Sequence, residues 1–437
     1  MIMGARETAL AALIACRKNG AWSNGVLKDY CSADNLDKRE AALASRLCYG
    51  VLQNRGRLDH YLTQLLTGKL KNLHPAVRDI LHLGLYQIFL MDKIPESAAV
   101  NASVDLAKQY CSKVRSAPGL VNGVLRNAVR NREKIQEPTA LCDLYSHPQK
   151  LIDLLTAYVG KEKLEGMLQA NNAVPPTVVQ VNICKTTPDA LLQELAETGM
   201  EAKCHPWLPD CLVLTGTGDI ARLPAFQKGL FYVQDGAAKL SVACARIPEG
   251  AKVLDCCAAP GGKSFAAAIA GAGEVISCDI HPHKVTLLQN GADRLALSQI
   301  HPRQQDATVF VPEWEAQMDV VIADVPCSGY GIIRKKPDIR YKDPDSMADL
   351  PSLQLTILKN QARYVKPGGV LLYSTCTLVR KENEGVVEKF LKDNPEFTTE
   401  KLTLPPVFPE NETGMLTLVP GEYDTDGFFI CRLRRKQ

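Results

Sequence analysis

MDVVIADVPCSGYG occupies residues 318–331. Its first half is an apolar run, Val320, Val321, Ile322 and Ala323, which ends in Asp324 and passes into Pro326, Cys327, Ser328 and Gly329. A continuous apolar run closed by turn residues reads as a strand buried on both faces of a parallel sheet. In such sheets ligands sit beyond the carboxyl ends of the strands, so Asp324 and Cys327 fall where chemistry is expected. A second stretch has the same form: Val370, Leu371, Leu372 and Tyr373 run into Ser374, Thr375, Cys376 and Thr377. Two strands are thus expected to deliver a cysteine each to one sheet edge.

Upstream, Val253 and Leu254 lead into Asp255-Cys256-Cys257-Ala258-Ala259-Pro260-Gly261-Gly262-Lys263, and a helix is expected from 264 to about 270. A small-residue loop lets backbone approach a ligand, and the helix end adds free N–H groups and a positive dipole. The loop is not GxGxxG, and Cys257 stands where a phosphate-binding GxxxxGK[ST] loop needs its first glycine. The next strand, 274–278, ends in Asp279, placed for a ribose. After a helix over 283–297, a short strand around 303–305 ends in Asp306, placed for an adenine edge. Four acids, Asp255, Asp279, Asp306 and Asp324, closing consecutive strands favour a site over four unrelated caps or turns.

The bulk numbers bound the rest. At 437 residues, two or three domains are expected. A net charge of +3 allows a local basic face for nucleic acid without requiring one. Fifteen cysteines without a CxxC pair, and without a secretory leader, point to free thiols in a reducing cytoplasm and to no metal site. No stretch approaches ~20 uninterrupted apolar residues, so no membrane span is expected.

From 5 to about 132 the pattern is helical. Helices are expected to start at the DKRE of 37–40 and near Pro75, and to run over 98–110. Ile94-Pro95 marks one boundary, and Pro118-Gly119 is read as a break before a last helix over 120–130. An all-α bundle over 1–144 follows. Residues 145–228 read as a small α+β connector. It has a helical stretch to about 169, a linker at Pro175-Pro176, strands over 177–183 and 211–214, a helix over 188–198, and Val181-Asn182 near the active site. His147 and His205 are read as structural. Residues 229–437, starting with FYVQD, form the third domain, of Rossmann-like α/β type.

The DKRE start, the Leu85-Tyr86-Gln87 run, the Ile94-Pro95 turn and VNGVLRN (121–127) resemble the NusB-like RNA-binding domain. That likeness implies RNA contact, with Arg126, Arg130 and Arg132 as phosphate candidates. DCCAAPGGK (255–263), DVPCSGYG (324–331) and YSTCT (373–377), in this order, resemble RNA cytosine-C5 methyltransferases of the RsmB/Sun/Fmu family. FYVQDGAA, ENEGVV and DGFFICRLRR also match; Cys256 and Thr377 are small departures. The resemblance implies methylation of a cytosine in small-subunit rRNA by a monomer. It implies S-adenosyl-L-methionine held by Cys257, Ala258, Ala259, Pro260, Gly261, Gly262 and Lys263, together with Asp279, Asp306 and Asp324. It further implies Cys376 as nucleophile and Cys327 as the group that assists release.

Carbon 5 of cytosine is a poor nucleophile, and a thiolate added at C6 makes the ring enamine-like, which splits one hard step into two. Asp324 is placed to assist at N3 as well as to hold the methyl donor, and Lys263 to orient Asp324 or the base. The basic run Arg334, Lys335, Lys336 and Arg340 is expected to hold the RNA backbone. Cys16, Cys48, Cys244 and Cys278 are read as small buried hydrophobes. A DNA cytosine methyltransferase would use Cys327 as nucleophile and Glu382-Asn383 on the base, leaving Cys376 without a role. Another RNA substrate, transfer or large-subunit, and a non-catalytic ribosome-assembly factor are the remaining alternatives.

Overall fold

The computed structural model describes residues 4–437 apart from 20, 22, 34 and 217. The chain divides into two compact units, Met1–Ala173 with Ile333–Pro344, and Val174–Ile332 with Asp345–Gln437.

The first unit is helical: Ala5–Asn19, Ser23–Ala33, Lys38–Leu65, Pro75–Leu90, Glu96–Tyr110 and Ala117–Arg130, then Gln149–Val159 and Lys161–Asn172. Its core holds Leu10, Leu47, Leu58, Leu62, Ile80, Leu81, Leu85, Val121 and Leu125. The helix at DKRE begins because the Asp37 carboxylate accepts from the backbone N–H groups of Arg39 and Glu40. Pro118 does not break the chain, as the sequence suggested. It lies in the first turn of Ala117–Arg130, where its missing N–H costs nothing. Gly160, at φ +81°, splits the expected single helix after 145 in two. Both of those helices group with the first unit, although the connector is read from 145.

The second unit contains two sheets. The smaller orders Glu201–Cys204, Cys211–Thr215, Thr177–Val181 and Phe231–Val233, all antiparallel. Phe231–Val233, assigned from sequence to the catalytic domain, therefore pairs with the connector strand 177–181. Asn182 is buried, and its amide donates to the carbonyls of Gly229 (3.0 Å) and Leu295 (2.9 Å). It fastens the small sheet to the helix Pro282–Leu295, which replaces the expected place near the active site.

The larger, eight-stranded sheet runs Phe397–Thr399, Phe428–Arg435, Val365–Thr375, Met318–Asp324, Lys252–Asp255, Glu274–Asp279, Ile300–Gln304, with Met415–Leu418 beside Phe428–Arg435. The five strands from 365–375 to 300–304 are parallel, and the others antiparallel. Val320 and Ile322 pack into one core with Leu240, Phe265 and Ala292. Val321 and Ala323 pack into the other with Ile357, Leu358 and Val386. Burial on both faces is why this strand carries no polar residue between Val320 and Ala323. Strand order turns back between Lys252–Asp255 and Met318–Asp324, so the switch-point crevice opens at Asp324 and the loop after Asp255.

Candidate active site

Asp324 lies beside Ser374 in the parallel register of the two central strands. Equal register brings the following loops level, and the Sγ atoms of Cys327 and Cys376 are 3.3 Å apart, each partly exposed. The loops are fastened on either side of the sulfurs. Ser328 Oγ and Thr377 Oγ1 are 2.6 Å apart, and Gly331 N donates to the Cys376 carbonyl at 3.0 Å. Gly331 must be glycine, since a Cβ there would sit 2.0 Å from the Gly427 carbonyl oxygen.

Beneath the thiols, Lys263 Nζ donates to Asp324 Oδ2 at 2.6 Å, and Ser374 Oγ donates to Oδ1 at 2.8 Å. Burial pulls the Lys263 ammonium down, but the charge and hydrogen bond of Asp324 outweigh it and raise the net value, with a further push from Cys376. Lys263 is thus a fixed cation facing both Asp324 and the nucleophile candidate. The Cys327 thiol is pushed well up, first by its hydrogen bond to Cys376 and then by burial. A raised value favours the protonated thiol at Cys327, and either sulfur can be the donor in the contact with Cys376.

Three donors converge on Glu382, which is 4% exposed. Ser328 N (2.9 Å) and Gln354 Nε2 (2.9 Å) share Oε2, and Ser328 Oγ donates to Oε1 at 2.6 Å. Gln354 also donates to the Pro326 carbonyl at 2.9 Å. Glu382 therefore holds the Cys327 loop and does not face a base. Sequence reasoning dismissed it and missed Ser328, Gln354 and Ser374, because these bonds span 28 to 54 residues and leave no local pattern.

The acids separate into roles. Asp255 is fully buried, bonded to Ser264 Oγ at 2.8 Å, and pushed up to about 7 by that burial; it shapes the loop from below. Asp279 accepts from His281 N (3.0 Å), and Asp306 accepts from Thr308 N (2.8 Å) and Oγ1 (2.7 Å). Ile280 and Val309, just after these acids, expose 51% and 55% of their surface. Two acids flanked by exposed apolar side chains suit a ribose and a purine face. Gly261, at φ +115°, precedes the helix Gly262–Ile269, and a Cβ on it would strike the Phe265 ring. The loop of Cys257, Ala258, Ala259, Pro260, Gly261 and Gly262 carries only small side chains at a helix N-terminus, which suits the approach of a ligand. These residues fit S-adenosylmethionine.

The two arginines of the basic run after the cysteine loop are placed otherwise than expected, while Lys335 and Lys336 are partly exposed. Arg340, 1% exposed, donates within the first unit to the carbonyls of Gln53 (3.3 Å), Tyr145 (3.2 Å), Ser146 (3.4 Å) and Asn171 (3.3 Å), and to Asn172 Oδ1 (2.8 Å). Arg334 is also buried. Neither is available to phosphate, because both are buried. Arg126, Arg130 and Arg132 are exposed; Arg126 bonds Asn122 at 2.8 Å and Arg132 pairs with Glu96 at 3.2 Å. His147 is buried against the Tyr145 carbonyl and held far below its usual range by burial, as befits a structural residue. All fifteen cysteines are free thiols. Among the described residues no group of three or more potential ligands could hold a metal, and no helix is long and apolar enough to cross a membrane.

Comparison with known proteins agrees with this layout. The family described as 16S rRNA methyltransferase RsmB/F matches residues 244–434, the NusB family 3–130, and an RsmF/B-like ferredoxin-like domain 147–221. The probable ribosomal RNA small subunit methyltransferase B of Bacillus subtilis is 38% identical over 448 residues, covering 99% of this chain and 98% of the relative. The ribosomal RNA small subunit methyltransferase B of Salmonella arizonae is 31% identical over 404 residues, 91% of each. Two solved structures share the fold. PH0851 has a TM-score of 0.80 at 24% identity, over 99% of this chain and 98% of that one. NSun6 from Pyrococcus horikoshii with SFG has 0.59 at 20%, over 66% of this chain and 98% of that one.

Proposed function

From the premise that this chain belongs to the RsmB/F family of rRNA methyltransferases, with a NusB domain in front, we propose that it methylates carbon 5 of a cytosine in small-subunit rRNA through a covalent adduct on Cys376. One observation carries the reading: two thiols 3.3 Å apart at the switch-point edge, beside an ion pair between buried Lys263 and partly exposed Asp324.

S-adenosylmethionine, when bound, supplies an electrophilic methyl group. Asp279, Asp306, Asp324 and the loop 257–262 hold it. The RNA base is unstacked to enter the crevice. Cys376 adds as thiolate to C6, favoured by the Lys263 cation nearby. Asp324 is assigned to N3 of the base, an assignment supported by the Lys263 and Ser374 bonds that fix its carboxylate. After methylation the C5 proton passes to a solvent water, its C–H electron pair restores the C5–C6 double bond, the Cys376–C6 bond breaks, and sulfur departs as thiolate. Cys327 keeps its proton facing that sulfur and stabilises the departing thiolate by hydrogen bond. Exposed arginines of the helical unit, Arg126 and Arg130, contact RNA phosphate.

The test is the pair of single variants on full-length protein with unmodified small-subunit RNA. Cys376→Ala abolishes the denaturation-resistant RNA adduct. Cys327→Ala lets the adduct accumulate while turnover stops. An adduct that survives Cys376→Ala and vanishes with Cys327→Ala would transfer the nucleophile to Cys327 and overturn the assignment.

A further inference from the structure

The same geometry that suits adduct chemistry suits another reaction. The two sulfurs are 3.3 Å apart, and a disulfide needs about 2.05 Å. Closure therefore asks for a shift of only ~1.3 Å, within two loops that the Ser328–Thr377 and Gly331–Cys376 bonds already hold together. Both thiols are partly exposed. A reactive thiol beside a resolving thiol is the usual arrangement for reversible oxidation.

We propose that Cys327 and Cys376 are a redox modification site, closing to a disulfide when the protein meets a hydroperoxide. Cys376 thiolate attacks a peroxide oxygen, the O–O bond breaks, and hydroxide leaves, giving a sulfenic acid on Cys376. Cys327 sulfur then attacks the Cys376 sulfur and the sulfenic OH departs as water with the Cys327 proton, while the hydroxide of the first step takes up the proton that Cys376 had released. In total two thiols lose two electrons and two protons, and one peroxide becomes two waters. A dithiol reverses it by exchange. The product cannot add to a base, and Cys376 is protected from the sulfinic stage that dithiols do not reverse.

Cys184 and Cys204 are exposed and Cys16, Cys31 and Cys142 partly exposed, so oxidant reaches them as well; the closeness of the two sulfurs is what singles out Cys327 and Cys376. Cys256 and Cys257 are also close, at 3.8 Å, but Cys256 is buried. The remaining buried thiols, Cys48, Cys111, Cys211, Cys244, Cys278 and Cys431, are closed off from oxidant.

The test treats the full chain with hydrogen peroxide, alkylates free thiols, digests without reduction, and maps the peptides by mass spectrometry. The expected product joins the Cys327 and Cys376 peptides and is two hydrogens lighter than their sum; dithiothreitol removes it. In Cys327→Ser the same treatment drives Cys376 to sulfinic acid about tenfold faster than in wild type. Circular dichroism checks the variant's fold, and the wild-type cross-link stands without it. Wild-type Cys376 reaching sulfinic acid as fast as in the variant, or a cross-link confined to other cysteines, overturns the proposal. Because the readout is mass, the failure of the adduct mechanism would leave it untouched, and the reverse.

Discussion

Replacing Glu382 tests whether the cysteine loop is held by hydrogen-bond geometry. In Glu382→Ala the three donors from Ser328 and Gln354 lose their acceptor. Gln354 keeps Pro326 and the Ser328 hydroxyl keeps Thr377, so the Ser328 N–H is the group left unpaired in a buried place. One orphaned buried donor costs roughly 1–3 kcal/mol, and the lost charge-assisted bonds bring the total to about 3 kcal/mol. Ser328 adjoins Cys327, so the loop shifts, and a misplacement of about 1 Å costs ~100-fold in rate. Glu382→Gln behaves differently. Its carbonyl can take the Oε2 position and accept from both Ser328 N and Gln354, while its amide faces a Ser328 hydroxyl free to turn toward Thr377. The expected loss is about 1–2 kcal/mol in stability and under ~10-fold in rate. Single-turnover transfer of tritium from labelled S-adenosylmethionine into unmodified small-subunit RNA, beside denaturant melts of the same samples, measures both. Near wild-type transfer by Glu382→Ala, or equal damage from Gln and Ala, would refute the reasoning.

Asp255, pushed up to about 7 by burial, favours the folded state when protonated. Its contribution is fully present below the unfolded pKa near 4 and lost as pH rises through about 7. Wild type should lose about 2–3 kcal/mol between pH 5 and 8 from this group, and Asp255→Asn should flatten that part of the denaturation profile. Lys263→Met removes the cation facing Asp324 and Cys376; adduct formation should fall ~100-fold or more, as when a preorganised electrostatic donor is removed. The raised Lys263 value keeps its contribution intact at every pH below the unfolded value near 10.4, so no loss tied to Lys263 should appear between pH 5 and 9. Arg340→Met strands carbonyls of the helical unit and should cost about 3 kcal/mol, read by thermal melting. It should leave the salt slope of RNA binding unchanged, whereas a phosphate contact would lower that slope by about 1.

The large sheet was legible because its strands are covered on both faces, which forces unbroken apolar runs ending at polar turns. Val320 to Ala323 and Val370 to Tyr373 show this. Asp279 and Asp306 could be placed because strand ends follow from the runs. The edge strand Glu201–Cys204 was not found, since an exposed edge needs no apolar pattern and EAKC has none. Glu382 was set aside because the DNA-type alternative left Cys376 without a role, and its hold on Ser328, 54 residues away, follows no spacing rule. Arg334 and Arg340 of the basic run misled for a related reason. Charge in a sequence suggests solvent, but an arginine with enough carbonyl acceptors can be buried, as Arg340 is.

The segment Ile333–Pro344 also bears on how the molecule can be dissected. The helical unit is not a continuous piece of gene: its final strip of chain is encoded some 160 residues after the rest. A fragment stopping at residue 173 would be a socket without its plug, with the Gln53, Tyr145, Ser146 and Asn171 carbonyls left to water. A fragment beginning there would carry Arg340 and Tyr341 on a bare tongue. Whoever wishes to study either half alone must graft that strip onto the first and bridge its gap in the second.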